Sequence, residues 1–310
     1  MRVAAILGLG SPTRLLQPFA SLSDSDWQIG LPANPGEVDA ILVLGGDGTI
    51  HRHLPQLVRL QLPVLVVPYG SGNDFARALN LGRVSAVLAA WRHFVSRPDH
   101  VAPDNVRRID LGVISKLSSP GSSVLANASE PRGHYFCCVG GVGLDAEVAR
   151  RANRLPRAIR RRGGYLLSLL PALYGFQPLA MKIRAPRDHS SALNTQYDGR
   201  VMVLAFANTP TYGGGIMIAP QAQLDDGKLD ICVVGPMGRA RRLRLFPSVY
   251  SGHHLDVPEV KYFQSDYLQI ETEKSSAVYA DGEYVCETPV KVTVQRAALK
   301  VIVPAGQVGG

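Results

Sequence analysis

Apolar and polar positions follow three different patterns along this chain. Residues 40–44 and 64–67 are short apolar runs without interruption, the pattern of strands buried on both faces of a parallel sheet. Residues 3–7 repeat it and predict the first strand of that sheet. Between the two runs, Leu54, Leu57, Val58 and Leu60 recur at helical spacing, as a crossover helix requires. Val84, Val87, Leu88, Trp91 and Val95 mark one face of a further helix, with Trp91 expected in the core. Residues 106–113 begin a strand that opens a second domain, and 134–139 form another before Gly140–Ala146 turns into a helix. Residues 116–132, rich in Ser, Pro and Gly, predict a loop. From Ala180 onward short strands dominate, at 181–184, 201–207, 229–234, 267–271, 277–280, 290–295 and 300–303. The expectation is an α/β domain over residues 1–108 and a β-rich, sandwich-like antiparallel domain over 109–296.

Composition bounds this picture. The 310 residues are 46% apolar and 19% charged, which suits two folded domains and excludes a disordered chain. No apolar stretch reaches the roughly 18 residues of a membrane span. The opening MRVAAILGLGSP lacks the length and cleavage site of a secretory signal, so a cytoplasmic protein is expected. Cys137, Cys138, Cys232 and Cys286 have no C-x-x-C spacing and read as structural thiols rather than disulfides or a metal cluster. The eight histidines show no metal-ligand spacing either. A net charge of +8 calls for an acidic partner: nucleic acid, polyphosphate or an anionic lipid surface.

Each of the two buried runs ends in a glycine-rich turn. The first is Gly45, Gly46, Asp47, Gly48 and Thr49; the second is Gly70, Ser71, Gly72, Asn73 and Asp74. Such turns at the carboxyl ends of parallel strands aim backbone N–H groups and helix N-termini at one crevice, which favours phosphate. Thr49, Ser71 and Asn73 add side-chain donors. Asp47 and Asp74 would repel phosphate unless they meet a metal ion or a proton in transit.

Further chemistry is clustered. Arg150, Arg151, Arg154, Arg157, Arg160, Arg161 and Arg162 precede an apolar stretch at 163–174. Basic then apolar is what an element docking on a membrane surface needs, and it is also what a core helix with a basic neighbour looks like. Arg239, Arg241, Arg242 and Arg244 begin another helix. Three turns lie among the later strands: Tyr212-Gly213-Gly214-Gly215 with Ala219-Pro220, then Asp225-Asp226-Gly227, then Asp281-Gly282-Glu283.

From residue 40 to the end, GGDGTI, PYGSGNDFAR, YGGG, DDG and DGE in this order resemble the diacylglycerol kinase catalytic family, which includes bacterial soluble lipid kinases and sphingosine and ceramide kinases. NAD kinases share the first turn but not the later series. The resemblance implies a NAD kinase/diacylglycerol kinase-like fold: a Rossmann-like domain, a C-terminal antiparallel β-sandwich, an active site in the cleft between them, and a last strand, about 297–310, returning to the first domain. It implies ATP on Gly45–Thr49 and Gly70–Asn73, and Asp281 as the base that deprotonates a lipid hydroxyl. Glu283 would orient that base or join a metal network. It implies Mg²⁺ on Asp226 with the carbonyls of Gln223 and Lys228, an all-oxygen set that suits this ion. Two departures stand out. His51-Arg52 replace the family's Asn-Glu, and the Asn-Pro loop expected after the first strand is missing.

The function expected is therefore an ATP- and Mg²⁺-dependent lipid kinase acting on a substrate such as diacylglycerol, peripheral to an anionic membrane surface, with a homodimer left open. A NAD kinase-like enzyme for a soluble alcohol and a nucleotide-binding module without turnover are the alternatives. Nucleic acid ranks below both, because the basic tracts lack interleaved aromatics.

Overall fold

Strands β1 (Arg2–Leu7), β2 (Asp26–Ile29), β3 (Ala40–Gly45) and β4 (Val64–Pro68) lie parallel in the order β2–β1–β3–β4. All of β3 and most of β1 and β4 are buried, as their uninterrupted apolar sequences require. Helix α1 (Gln17–Ala20) is a single turn between β1 and β2. Helix α2 (Asp47–Leu60) crosses from β3 to β4 and buries Ile50, Leu54, Leu57 and Leu60, leaving Val58 at the edge. Helix α3 (Asp74–Ala78) follows β4, and α4 (Val84–Val95) buries Val87, Ala90 and Trp91. The expected stripe on α4 is rotated: Val84 is exposed, whereas the small Ala90 lets the helix sit close. Trp91 is core, its Nε1 donating to the Phe19 carbonyl at 3.1 Å.

The computed structural model describes residues 1–22, 25–97, 103–117, 133–154, 164–186 and 192–306. They divide into two compact units, residues 1–111 with 296–310 and residues 112–295. The predicted loop at 116–132 lies outside the described residues beyond Leu117. Strand β5 (Val106–Lys116) leads out of the first unit. The last strand, β16 (Val290–Ile302), returns to it, placing Val301 parallel to Val64 of β4. Gln61 at the end of α2 donates to the Ala298 carbonyl at 2.8 Å and fixes that return.

In the second unit, β6 (His134–Phe136), β7 (Val139–Gly143), α5 (Leu144–Arg154) and α6 (Gly164–Gly175) precede a run of strands. These are β8 (Leu179–Pro186), β9 (Leu193–Val201), β10 (Val203–Ala207) and β11 (Leu229–Val234). After α7 (Arg239–Leu245) come β12 (Val260–Ser265), β13 (Tyr267–Thr272), β14 (Ala277–Ala280) and β15 (Glu283–Glu287). One antiparallel sheet runs β12–β11–β10–β7–β14–β15; the first part of β16 pairs antiparallel with β13, then β8 and β9 follow. Apolar side chains of both sets, among them Val142, Leu204, Ile231, Leu268 and Val292, share one core. Gly140 exists for that packing: a Cβ there would lie 2.1 Å from the ring of Phe206.

The predicted strand at 134–139 is broken. Cys137 and Cys138 leave the ladder because their N–H groups are taken by the Asp281 carboxylate. The predicted strand at 201–207 is likewise two, divided at Met202.

Candidate active site

In the first unit the two glycine turns touch through their backbones. A Cβ on Gly70 would lie 2.5 Å from the Gly46 Cα, and one on Gly46 would lie 2.9 Å from the Gly70 Cα. Only glycine permits that approach. Thr49 packs its side chain against Gly45, where a Cβ would meet Oγ1 at 2.5 Å. Asp47 reaches across to the second turn and accepts N–H bonds from Asp74 and Phe75, both at 3.1 Å. It thereby caps α3. Asn73 closes its own turn, Oδ1 accepting from the Gly70 N–H and Nδ2 donating to the Gly70 carbonyl, both at 2.8 Å. Asp74 is buried in an ion pair with Arg77, which also donates to the Gly72 carbonyl at 2.6 Å.

These bonds bear on the expectation of a phosphate site. Both helix ends were expected to face the anion, yet α3 already has a carboxylate on its first N–H groups. The 14-residue α2 has Gly46 at its N-cap and no side-chain cap, so its backbone donors suit an incoming phosphate. Ser71 is exposed and keeps its hydroxyl at the rim. Gly45, Gly46, Gly70 and Gly72 serve by their lack of side chain, and Gly48 lies in the first turn of α2. Asp47 ties the first turn to the second, and Asn73 braces the second turn from within. His51 is half-buried and Arg52 exposed; burial, and then the Arg52 charge, lower the pKa of His53.

In the second unit Asp281 and Gly282 join β14 to β15 as a two-residue hairpin, with φ of 50° and 83°, the left-handed geometry that Asp-Gly favours. The turn also does something a bare hairpin does not. The Asp281 carboxylate accepts from the Cys137 N–H at 2.9 Å and from the Cys138 N–H at 2.8 Å. Its own N–H donates to the Val139 carbonyl at 2.9 Å, and Asn153 of α5 donates to the Gly282 carbonyl at 2.8 Å. The carboxylate is thus oriented by backbone amides, whereas the resemblance gave Glu283 either that task or a place in a metal network. Glu283 itself is exposed at the start of β15.

Asp226 is half-buried. Its Oδ1 accepts from the Lys228 N–H at 2.9 Å within the turn, and Gln264 approaches Oδ2 at 3.4 Å. Gln223 and Lys228 are exposed on the same turn. Nearby Asp230 is buried and accepts from Tyr262 at 2.7 Å; burial raises its pKa, against the hydrogen bonds from Tyr262 and Gln264.

Sequence reasoning missed a pocket in the second unit. Its wall is apolar, built from side chains such as Leu144, Val148, Leu169, Leu173, Met202 and Phe246. Asp145, Tyr212, Arg242 and His254 are its polar groups. Tyr212 of the YGGG turn donates to Asp145 at 2.5 Å, and Arg242 is held by the carbonyls of Met237, Leu173 and Phe176. The signal was present in Gly143-Leu144-Asp145-Ala146, but nothing local says that α5, α6 and α7 enclose a space. Of the arginine run, Arg150 and Arg151 both pair with Glu147, whereas Arg157, Arg160, Arg161 and Arg162 lie outside the described residues.

Comparison with known proteins gives the chain a family. Residues 28–113 match the diacylglycerol kinase catalytic domain, and residues 139–303 match the YegS C-terminal NAD kinase beta sandwich-like domain. A diacylglycerol kinase of Mycobacterium tuberculosis is 32% identical over 272 residues, covering 86% of this chain and 77% of that protein. The chain belongs to the diacylglycerol kinase family of lipid kinases. A Bacillus subtilis diacylglycerol kinase is 26% identical over 250 residues, covering 80% of this chain and 72% of that one. In fold, a diacylglycerol kinase crystal structure from Bacillus anthracis superposes with a TM-score of 0.68 at 21% identity, covering 99% of this chain and 98% of that one. This member of the family is accordingly a kinase, a phosphotransferase, and ATP use follows from its family. Its α/β unit and antiparallel unit are the fold expected from the motifs. All four cysteines are buried free thiols. Among the described residues no helix is long and apolar enough to cross a membrane.

Proposed function

We propose that the protein transfers the γ-phosphate of ATP to the hydroxyl of a diacylglycerol-like lipid. The observation that carries the lipid reading is the apolar pocket of the second unit. A nicotinamide dinucleotide would bring many polar groups to a wall with few partners for them, whereas acyl chains match it. The Asp145–Tyr212 pair gives that wall one polar feature to meet a headgroup.

The residues then divide the work. The α2 N-terminus and the exposed Ser71 hold phosphate oxygens, with the Gly46–Gly70 contact keeping the turns in register. Asp281 takes the proton of the lipid hydroxyl as its oxygen attacks the γ-phosphorus, ADP leaves, and the proton passes to solvent. The Cys137 and Cys138 amides each bond one carboxylate oxygen and fix the orientation of the group. Magnesium, when bound, neutralises phosphate charge or orders the second unit; the Asp226 carboxylate with the Gln223 and Lys228 carbonyls offers it oxygen donors only.

Elements of the pocket also face outward. Helix α7 exposes Arg239, Arg241, Arg244 and Leu243, and Tyr174 and Tyr250 are exposed beside the pocket-lining Leu173 and Val249. Basic and aromatic side chains around an apolar pocket suit docking on an anionic lipid surface.

The test is transfer of labelled γ-phosphate from Mg·ATP to diacylglycerol, ceramide, sphingosine and NAD, with anionic vesicles present. Lipid product should form, and Asp281→Asn should lower it roughly 10²–10⁴-fold with ATP binding retained. Phosphorylated NAD without lipid product, or an Asp281→Asn variant as active as wild type, would refute the reading.

A further inference from the structure

The strand break between β6 and β7 sets two thiols, which the phosphoryl-transfer chemistry does not use, beside Asp281. Adjacent residues in a regular strand point to opposite faces. At Cys137-Cys138 the Asp281 carboxylate has drawn both amides out of the ladder, and the two thiols lie together, Sγ to Sγ 3.9 Å. The Cys137 Sγ is 3.5 Å from Asp281 Oδ2, and all three donor atoms fall within 4.8 Å of one another.

These separations have a chemical meaning. A tetrahedral ion with metal–sulfur bonds of about 2.3 Å and a metal–oxygen bond of about 2.1 Å sets its sulfurs about 3.8 Å apart and sulfur from oxygen about 3.6 Å. Two of the three edges, 3.9 and 3.5 Å, already match those values, and the third, Cys138 Sγ to the Asp281 carboxylate, is within 4.8 Å. From this geometry we propose that Cys137, Cys138 and Asp281 bind one thiophilic divalent cation of the zinc class, and that the bound ion silences the kinase by occupying Asp281. The silencing half rests on Asp281 being the base; the binding half does not.

Physical chemistry supports the choice of ion. Two thiolates are soft ligands that select zinc-class ions over magnesium, so the magnesium of the kinase reaction does not compete. Binding releases two thiol protons to solvent and leaves the ion's oxidation state unchanged. An M²⁺ ion with two thiolates and one carboxylate carries a charge of −1, and the Cys137 and Cys138 N–H groups, already aimed at the carboxylate, offset it. Both cysteines are buried while Asp281 is half-exposed, so an ion enters from the hairpin side. Three protein donors leave a fourth position for water. Cys232 and Cys286 stand outside the group; burial pushes the Cys232 thiol up to about 12.

The full chain, stripped of metal by chelator in the presence of a thiol reductant, is titrated with Cd²⁺, and thiolate-to-cadmium charge transfer is read in the ultraviolet. One ion per chain is expected. The band should vanish in Cys137→Ser and in Cys138→Ser, with circular dichroism showing each variant folded, and persist in Cys232→Ser. Asp281→Asn should keep a band with affinity lowered at least roughly tenfold. In kinase assays with buffered free Zn²⁺, wild-type turnover should fall as the site fills. Cys137→Ser, whatever its basal rate, should no longer respond. No stoichiometric band in wild type, or a band that survives both serine substitutions, would overturn the site irrespective of kinase activity. A filled site with undiminished turnover would overturn the silencing, and the separate rate of metal-free Asp281→Asn then tells whether the base assignment falls with it.

Discussion

Asp281 shows how one residue answers two demands. Its left-handed backbone closes a hairpin, and its side chain is held by amides 143 and 144 positions away. Gly70 carries a comparable double constraint, because its missing Cβ is what lets the second turn touch the first. Gly70→Ala should cost about 1–3 kcal/mol of stability, since the obstructing atom is backbone. ATP affinity measured by calorimetry should fall with it. Gly36→Ala, where a Cβ meets nothing within 4 Å, should leave both unchanged, and equal losses in the two variants would sink the argument. Glu147 makes a titrating counterpart. The hydrogen bond from Arg150, then that from Arg151, holds its carboxyl at about 2 against an ordinary 4.5, with burial opposing. A carboxylate pKa lowered by folding stabilises the native state above the unfolded value, and that contribution drains away as pH falls from 4.5 toward 2. Glu147→Gln should therefore lower stability by about 1 kcal/mol at pH 7, its partial exposure keeping the figure small. The gap to wild type should close near pH 2 in thermal melts. A gap independent of pH would show that the pairs contribute nothing.

At the scale of elements, the second unit depends on how α5, α6 and α7 enclose the pocket. Arg242 is the tie: a buried guanidinium donating to carbonyls at the start of its own helix and at the end of α6. Arg242→Met removes donors from three carbonyls and should cost about 2–3 kcal/mol. The KM for lipid should rise while the KM for ATP, set in the first unit, stays constant. A rise in both would detach Arg242 from the pocket. The strands show why some elements were legible in the sequence and others not. β3 and β4 bury every or nearly every residue and announced themselves by unbroken apolar runs. β9 reads LNTQYDGRV and is mostly exposed or half-buried along its length, so nothing in its residues marks it as a strand. β12 and β15 are likewise exposed or half-buried at most positions. The break at Cys137-Cys138 was invisible because its cause, Asp281, is far away in sequence. The glycine turns and the DGE hairpin were legible as motifs, yet their roles were only half readable. Asp47 reads as a residue of the nucleotide site, and only the fold shows that its carboxylate accepts from the Asp74 and Phe75 amides of the second turn. The pocket required three helices to be placed in space, and no periodicity within one of them conveys that.

The whole molecule carries a net charge of +8, and where that charge sits decides how it can meet a lipid. Glu147 takes up two arginines of the long basic run, and Glu259 pairs with Arg241. Arg239 lies 4.8 Å over the Tyr174 ring, a contact that leaves its charge intact, and Arg244 is exposed on the same helix. With Leu243 and Tyr250 exposed nearby, this region combines cations with insertable apolar groups beside the pocket wall. Each basic group close to an anionic surface contributes about 1 kcal/mol. The double substitution Arg239→Glu/Arg244→Glu should then weaken sedimentation with anionic vesicles at least roughly tenfold. Raising the salt from about 0.1 M to 1 M, which shortens the screening length from roughly 10 Å to 3 Å, should weaken wild-type binding in the same direction. Turnover of lipid dispersed in neutral detergent should be unaffected by the substitutions, because neither arginine lines the pocket. Vesicle binding that ignores both salt and these charges would place the docking surface elsewhere on the molecule.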